Sequence, residues 1–251
     1  MGSPPILTAV CKRAPMTPWP LEIPLLRAAA WFGEDPAALG LGPGPDWLDL
    51  AWGQPDVAFV EPLQRRRLSR LARAFCHCAQ RISPEGDVRV VFASRHGEAE
   101  RTLGILHDLA AGAEVSPTLF SLSVHNAVPG IWSILKGNRA AACALAAGPE
   151  TFAWGLVEAL AAFAADPAPL LFVYADDRLP EPWAEPTPAG FPHAVALLLG
   201  EPARGRLAMD RRAGAAPEPA LPQSIHCLRA LAGGPAEPWS GPDGTWDWQL
   251  A

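Results

Sequence analysis

The chain alternates between short apolar runs and longer segments in which apolar residues recur every three or four positions. Short runs predict buried β-strands, and the longer spacing predicts helices with one apolar face. The predicted strands are residues 6–10, 87–94, 119–124, 139–146, 170–174 and 194–199. The predicted helices are residues 64–82, 98–111, 127–135, 150–165 and 223–231. This alternation is typical of an α/β fold with a mixed, mostly parallel sheet and helices on both faces.

Two segments fall outside the alternation. Residues 14–62 are rich in proline, which breaks regular elements, and in tryptophan, which a disordered linker would lack. We interpret them as an ordered cap whose aromatic side chains either pack on their own domain or offer a docking surface. Residues 203–251 are interpreted as a C-terminal helix and tail, so that residues 1–251 form a single domain.

Composition and charge argue against several classes of function. With 251 residues, 49% of them hydrophobic, the chain can bury a substantial core. No apolar run approaches the roughly 18–20 residues that span a bilayer, and no signal-sequence pattern opens the chain. The formal net charge of −6 gives no electrostatic footprint for nucleic acid. We therefore expect a cytoplasmic protein with no membrane span and no nucleic-acid partner.

Cysteine usage and sequence motifs predict neither a metal nor a cofactor. The five cysteines are few and scattered, which argues against a disulfide framework. Cys76 and Cys78 flank His77, but residues two apart on a helix point about 200° away from each other. The two thiols therefore cannot share an ion. Neither a dinucleotide-binding fingerprint nor a phosphate-binding GxxxxGKS/T motif is present.

The most distinctive local pattern is SLSVHNAVPG, residues 121–130, where a predicted strand passes through a polar turn directly into a buried helix. The first residue of such a helix lies at the positive end of the helix dipole, which suits a nucleophile or an anion. Ala127 occupies that position and has no reactive atom. If the strand is extended, Ser123 and His125 lie on one face and form a candidate nucleophile and base. Alternatively, both side chains hydrogen-bond the turn, where Asn126 tolerates left-handed geometry.

Three segments together carry a family resemblance: SVHNAVPGIWSI, LKGNRAAACALAAGPET and GFPHAVALLLGE. In this order, over roughly residues 64–202, the chain resembles the N-terminal half of β-ketoacyl synthases of the thiolase superfamily. Among them it is most similar to the short chain-length-factor-like proteins of aryl polyene biosynthesis. In that family the nucleophilic cysteine leads the buried helix, three residues before a glycine that corresponds to Gly130. The cysteine position therefore falls on Ala127, and the GTGT and GHxxG-like motifs of the C-terminal half are absent from this sequence.

The resemblance implies half of a thiolase-like layered fold and a non-catalytic role. The chain would be the partner of a catalytic β-ketoacyl-ACP synthase in polyene or fatty-acid-type biosynthesis. The two would form a heterodimer through the strand at about residues 118–124 and neighbouring helices, and this chain would wall the acyl tunnel. An acyl carrier protein is a further candidate partner. The implied tunnel residues are Ser121, Ser123, His125, Asn126, Ala127, Val128 and Trp132, with Trp132 as the candidate steric stop.

Two alternatives from other function classes stay open. The first is an acyltransferase or hydrolase that uses Ser123 and His125. The second is a homodimeric scaffold that binds an acyl carrier protein. The basic run Arg65-Arg66-Arg67 could attract a carrier's phosphate or acidic helix, and its other interpretation is a solvated helix start.

Overall fold

A computed structural model describes residues 19–184, 191–234 and 237–251. Within these residues, nine strands form a single sheet. The strands are β1 (Leu21–Phe32), β2 (Leu48–Trp52), β3 (Arg89–Ala93), β4 (Ala142–Leu145), β5 (Leu170–Asp176), β6 (His193–Leu199), β7 (Gly205–Arg212), β8 (Trp239–Ser240) and β9 (Thr245–Leu250). The strand predicted at residues 6–10 lies outside the described residues.

Seven α-helices flank the sheet in the described part of the chain. They are α1 (Pro62–Arg65), α2 (Arg70–Ile82), α3 (Ala99–Ala110), α4 (Pro117–Ser121), α5 (Ala127–Lys136), α6 (Thr151–Ala165) and α7 (Gln223–Leu231). A 3-10 helix, Pro36–Leu39, lies between β1 and β2. No helix in the described ranges combines the length and the apolar content that crossing a bilayer requires.

The sheet is mixed, with the strand order β4-β3-β5-β6-β1-β7-β9-β8, and β2 pairs with the second half of β1. The parallel pairs are β1–β2, β3–β4 and β3–β5, and the other neighbours are antiparallel. Six of these nine strands, β1 to β5 and β9, nevertheless point in one direction. The carboxyl ends of β1 to β5 and the start of β6 therefore share one edge, where open α/β sheets bind ligands.

The structure places two strands of the sheet in the segment 14–62, which the sequence predicted to be a cap. The long strand β1 pairs with β6 and β7 in the middle of the sheet, and β2 adds to its second half. Pro24 suggested irregular chain, but β1 accommodates it because the register with β6 shifts nearby, between Leu25 and Arg27. Trp31, at 2% exposed, belongs to the core of the sheet rather than to a covering layer.

The strand predicted at residues 119–124 is wrong, because the helix α4 and a turn take its place. The Ser116 side chain accepts a hydrogen bond from the backbone N–H of Leu119 at 3.4 Å and caps the helix. Pro117 occupies the first turn, where its fixed φ favours a helix start. This local Ser-Pro arrangement outweighs the apolar run that predicted a strand. Phe120 is 60% exposed, so the segment is not buried.

The five predicted helices are confirmed as α2, α3, α5, α6 and α7. The first of them is shorter than predicted, because it begins at Arg70 with Ser69 as its N-cap. The helices α2 and α5 pack on one face of the sheet, and α6 and α7 pack on the other. Side chains along β5 alternate between the two faces of the sheet. Leu171 packs in the core beneath α2 and α5, and Phe172 packs in the core beneath α6 and α7.

The predicted C-terminal tail contains three strands in addition to α7. The strands β7 and β9 extend the sheet beyond β1, and β8 forms its edge. Trp239, Trp246 and Trp248 are all buried, so the tail contributes large side chains to the core. The sequence of β9, TWDWQL, alternates aromatic and polar residues as a half-buried strand does. Its proline- and glycine-rich flanks concealed that pattern.

Candidate functional site

The elbow, residues 123–127, leads into α5 at the carboxyl edge of the sheet. The helix begins at Ala127, as the sequence predicted. Asn126 precedes it with φ −85° and ψ 6°, so this residue does not use left-handed geometry, and its side chain makes no cap. Ala127 is only 8% exposed and presents a methyl group at the helix N-terminus. This position therefore supplies no nucleophile.

His125 occupies a tight slot between the end of β4, β3 and the turn that follows β3. Its Nε2 lies 3.0 Å from the carbonyl oxygen of Leu145, and its ring centroid lies 5.7 Å from that of Phe92. Gly97 has a φ of +56°, and a Cβ atom there would lie 2.7 Å from His125 Nδ1. Because a carbonyl oxygen only accepts, Nε2 carries the proton and donates it to this bond. His125 is thus fixed by structural contacts, and its Nε2 is not free to act as a base.

The two candidate serines make local hydrogen bonds. The Oγ atoms of Ser121 and Ser123 each donate to the carbonyl three residues earlier, at 2.9 Å. The extended geometry that would align Ser123 with His125 is missing, because the segment follows α4. Their side chains bond to different carbonyls, so the structure does not assemble the candidate Ser–His pair.

The other implied tunnel residues lie inside α5. Val128 and Trp132 are each 1% exposed and belong to the core beneath α2. The Trp132 ring packs edge-on against Phe75, with ring centroids 6.0 Å apart. An apolar groove of about 210 Å³, lined by Ser121 and Ile131 among others, runs between α4, α5 and the segment from α1 to the residues before α2. Of the implied tunnel residues, Ser121 therefore lines a surface groove, whereas Trp132 fills the core.

None of the described cysteines lies at the start of α5. Cys76 and Cys78 are buried in α2, Cys227 is buried in α7, and Cys143 lies on the edge strand β4. Burial raises the pKa of the Cys76 thiol to about 12 and raises the pKa values of Cys78 and Cys227 as well. These three thiols stay protonated at neutral pH and are poor nucleophiles. Within the described ranges, no group of three or more His, Cys, Asp or Glu side chains is placed to hold a metal ion.

A polar cavity of about 270 Å³ occupies the same edge, between the ends of β3 and β5 and the starts of α6 and α7. Asp176 lines it and is 8% exposed. Its carboxylate accepts hydrogen bonds from the hydroxyl groups of Ser94, at 2.8 Å, and Tyr174, at 2.5 Å. The backbone N–H groups of Arg95 and His96 also donate to it. Asp176 thereby ties the end of β5 to the turn that follows β3.

Two further pairs fix the walls of the polar cavity. His193, at the start of β6, donates from Nδ1 to the Phe191 carbonyl at 3.0 Å and accepts at Nε2 from the Ser224 hydroxyl at 2.8 Å. Burial lowers the pKa of His193, so the imidazole is neutral near neutral pH. Arg95 and Glu218 form an ion pair at 2.5 Å. The cavity is thus preformed, with its polar groups held by protein partners.

An alkaline titration of Tyr174 tests directly whether its hydroxyl group is buried at this cavity, because Tyr174 is the single tyrosine of the chain. Burial raises its pKa well above the ordinary value of 10.0, and the negative charge of Asp176 raises it further. A raised pKa in the folded state favours the neutral phenol, and this stabilisation is complete below about pH 10 and lost as pH rises towards the folded pKa. We therefore expect phenolate absorption to appear only when the protein unfolds in alkali.

The control for this titration is Tyr174→Phe, which should abolish the phenolate signal altogether. A phenolate that titrates near its ordinary pKa of 10.0 while the protein remains folded would contradict the buried hydrogen bond. Circular dichroism, recorded at each pH, reports the folded state independently of the absorbance.

The polar cavity was not predicted from the sequence. Its local sign was the pair Asp176-Asp177 directly after a buried strand, together with Ser94 after another. Polar residues at the carboxyl ends of parallel strands meet at one edge, so these positions could have been grouped. His193 and Ser224 gave no such sign, because their pairing joins the first residue of a strand to the start of a distant helix.

Comparison with known proteins points to one family. The family model described as beta-ketoacyl synthase, N-terminal domain, matches residues 45–249. Among solved structures, the chain is similar to the ketosynthase ApeO in complex with its chain length factor ApeC from Xenorhabdus doucetiae. That match has 34% identity, covers 76% of this chain and 81% of that chain, and has a TM-score of 0.67. A β-ketoacyl synthase from Burkholderia phymatum STM815 matches at 13% identity over 71% of this chain and 56% of that chain, with a TM-score of 0.47. No curated protein matches.

Proposed function

Because the chain belongs to the family of β-ketoacyl synthase N-terminal domains, we propose that it is a non-catalytic partner of a β-ketoacyl-ACP synthase. In this role it resembles a chain length factor: it forms a heterodimer with the ketosynthase and walls the acyl tunnel. The complex takes its chains from an acyl carrier protein in the cytoplasm, in biosynthesis of the aryl polyene or fatty-acid type.

The observation that carries this proposal is the residue at the elbow. Ala127 begins α5 and is buried, so the position that a ketosynthase nucleophile would occupy holds only a methyl group. Ser123 and His125 do not replace it, because each is hydrogen-bonded to a separate carbonyl. An elbow without a nucleophile suits a subunit that shapes a tunnel rather than one that reacts.

The solved ketosynthase–chain length factor complex supports the same role. The match covers similar shares of the two chains, 76% and 81%, so the chains are of similar length. That structure holds a ketosynthase together with its chain length factor. An assembly of the same kind is what we propose for this chain.

We propose that the ketosynthase binds the outer faces of α4 and α5 together with the edge strand β4. Phe120 on α4 is 60% exposed, and Ile134 on α5 is 78% exposed. Exposed apolar side chains grouped in this way mark interaction surfaces. In the described sheet β4 pairs only with β3, so its other edge is open to a partner. This surface takes the place of the interface strand expected at residues 118–124, because that segment contains α4.

Co-expression with a candidate ketosynthase, followed by size-exclusion chromatography, tests the proposal. We expect the wild-type chain to elute in a 1:1 complex. The substitutions Phe120→Asp and Ile134→Asp should each reduce the complex at least about tenfold, because an unpaired carboxylate buried in an interface costs several kcal/mol. Both positions are largely exposed, so the free chain should still fold.

The matched control is Trp52→Asp, which introduces the same charge at another exposed aromatic position. Trp52 is 56% exposed and ends β2, several strands away from β4. We expect this variant to bind the ketosynthase as the wild type does. If the double variant Phe120→Asp, Ile134→Asp still forms the complex, the ketosynthase does not bind the proposed surface. A chain that only self-associates would refute the partner role and favour the homodimeric scaffold.

A further inference from the structure

A second cavity, of about 360 Å³, has no part in the proposed function. We call it the arginine cavity, and its main lining residues are Trp31, Glu34, Arg70, Arg73, Arg178 and Pro192. The loops after β1, β2 and β5 and the start of α2 surround it. It therefore lies on the sheet edge where open α/β proteins bind ligands.

The lining carries an excess of positive charge, with three arginines and one acid. Among the described residues, Arg73 has no ion-pair partner, and it donates instead to two backbone carbonyls. Arg178 pairs with Glu34 at 3.0 Å, but their side chains are 57% and 79% exposed, so this pair adds little to folding stability. Arg70 pairs with Asp177 at 2.7 Å. This concentration of cations occurs in a chain whose formal net charge is −6.

The start of α2 adds to the positive charge at this cavity. Arg70 is the first residue of α2 and Arg73 lies one turn later, so the positive end of the helix dipole adds to their charges. The first turn of α2 itself holds no acidic residue, and the carboxylate that pairs with Arg70 comes from Asp177, after β5. Trp31 is 2% exposed, and its indole Nε1 has no hydrogen-bond partner within the described structure. A bound anion would meet the positive charge of the arginines and of the helix N-terminus together.

We infer that the arginine cavity binds the phosphate group of a small phosphate ester. Guanidinium groups donate in pairs to phosphate oxygens, and several of them suit a group of about −2 charge better than a monovalent carboxylate. The cavity is larger than a phosphate group, and Pro55 and Pro192 give it apolar wall for the organic part of an ester. This inference goes beyond the proposed function, because it concerns the isolated chain and needs no ketosynthase.

Isothermal titration of the full chain with inorganic phosphate and with free phosphopantetheine tests the site. We expect both probes to bind and acetate, at the same concentration, to show no binding. Arg73→Gln and Arg178→Gln should each weaken phosphate binding about tenfold, because each removes a charge-assisted hydrogen bond. The matched control is Arg204→Gln. Arg204 is an exposed arginine that pairs with Asp46 elsewhere on the surface, so this variant should bind phosphate as the wild type does.

If Arg73→Gln fails to fold, Arg178→Gln still tests the site. The Arg178 side chain is 57% exposed, so we expect this variant to fold. Absence of phosphate binding, or equal affinity of the wild type and Arg178→Gln, would overturn the inference. Binding of free phosphopantetheine supports it and identifies a free ester as a sufficient ligand. Binding of a phosphopantetheine-loaded carrier protein, but not of the unloaded carrier, supports it and identifies the tethered phosphate as the source.

Discussion

Replacing Asp176 with alanine is expected to destabilise the protein by about 3–5 kcal/mol, because it removes a buried charged acceptor from several donors at once. The hydroxyl groups of Ser94 and Tyr174 lose their partner, and so does the backbone N–H of Arg95. For a chain of this size the melting temperature should fall by roughly 6–20 °C. Thermal unfolding followed by circular dichroism measures the change.

Tyr174→Phe is the matched control, because it removes one donor and keeps the carboxylate. It should cost about 1.5–3 kcal/mol, because the hydrogen bond that it removes is made to a charged carboxylate. Asp176→Asn should fall between the two, since its amide oxygen still accepts hydrogen bonds while its NH₂ group cannot. Wild-type thermal stability in Asp176→Ala would show that this carboxylate does not hold the sheet edge together.

Gly155→Ala is expected to destabilise the protein by about 1–3 kcal/mol through overpacking. Gly155 lies on the face of α6 that packs against β3 and β5. A Cβ atom at this position would lie 2.7 Å from Phe172 Cε2 and 2.8 Å from Ala93 Cβ. Both neighbours are 0% exposed, so neither can move into solvent to make room. Urea unfolding gives the change in the free energy of unfolding.

Gly104→Ala makes the same chemical change, but we expect it to stabilise the protein. Gly104 lies inside α3, and a Cβ atom there would meet nothing within 4 Å. Alanine should therefore stabilise the protein by about 0.5–1 kcal/mol, because it lowers the entropy of the unfolded chain and favours the helix. If both substitutions changed stability in the same direction, close packing at Gly155 would not be the cause.

The thiolase-like fold that the resemblance implied is confirmed by the solved ketosynthase complex. The helices were the most predictable elements, because their apolar residues recur with the period of a helix. The observed α7 has the predicted bounds, and α6 begins one residue after its predicted start. The start of α5 at Ala127 was also predicted correctly, so the position without a nucleophile could be identified from sequence.

Four predicted strands, at residues 87–94, 139–146, 170–174 and 194–199, match β3 to β6. Elsewhere the local patterns of the strands were masked or misleading. Pro24 concealed β1, which a shift in register accommodates. The apolar run at residues 119–124 suggested a strand, but the cap at Ser116 begins a helix there. In both cases a single local feature, a bulge or a helix cap, decided the outcome against the hydrophobic pattern.

The polar cavity could not be derived from local sequence, because its contacts are distant along the chain. Asp176 and Ser94 are 82 residues apart, and Arg95 and Glu218 are 123 residues apart. Only the order of the strands brings these groups to the same edge. No single segment contains the information that they meet.

The position of β1 has a consequence for how the protein is made. As the chain leaves the ribosome, β2 is the one described neighbour of β1 that is available early, because β6 and β7 are synthesised after α6. Until then the nascent chain holds a long apolar strand with an open edge, which is prone to aggregation. Completion of the sheet therefore awaits the synthesis of β7 to β9, and chaperone protection matters most before that point.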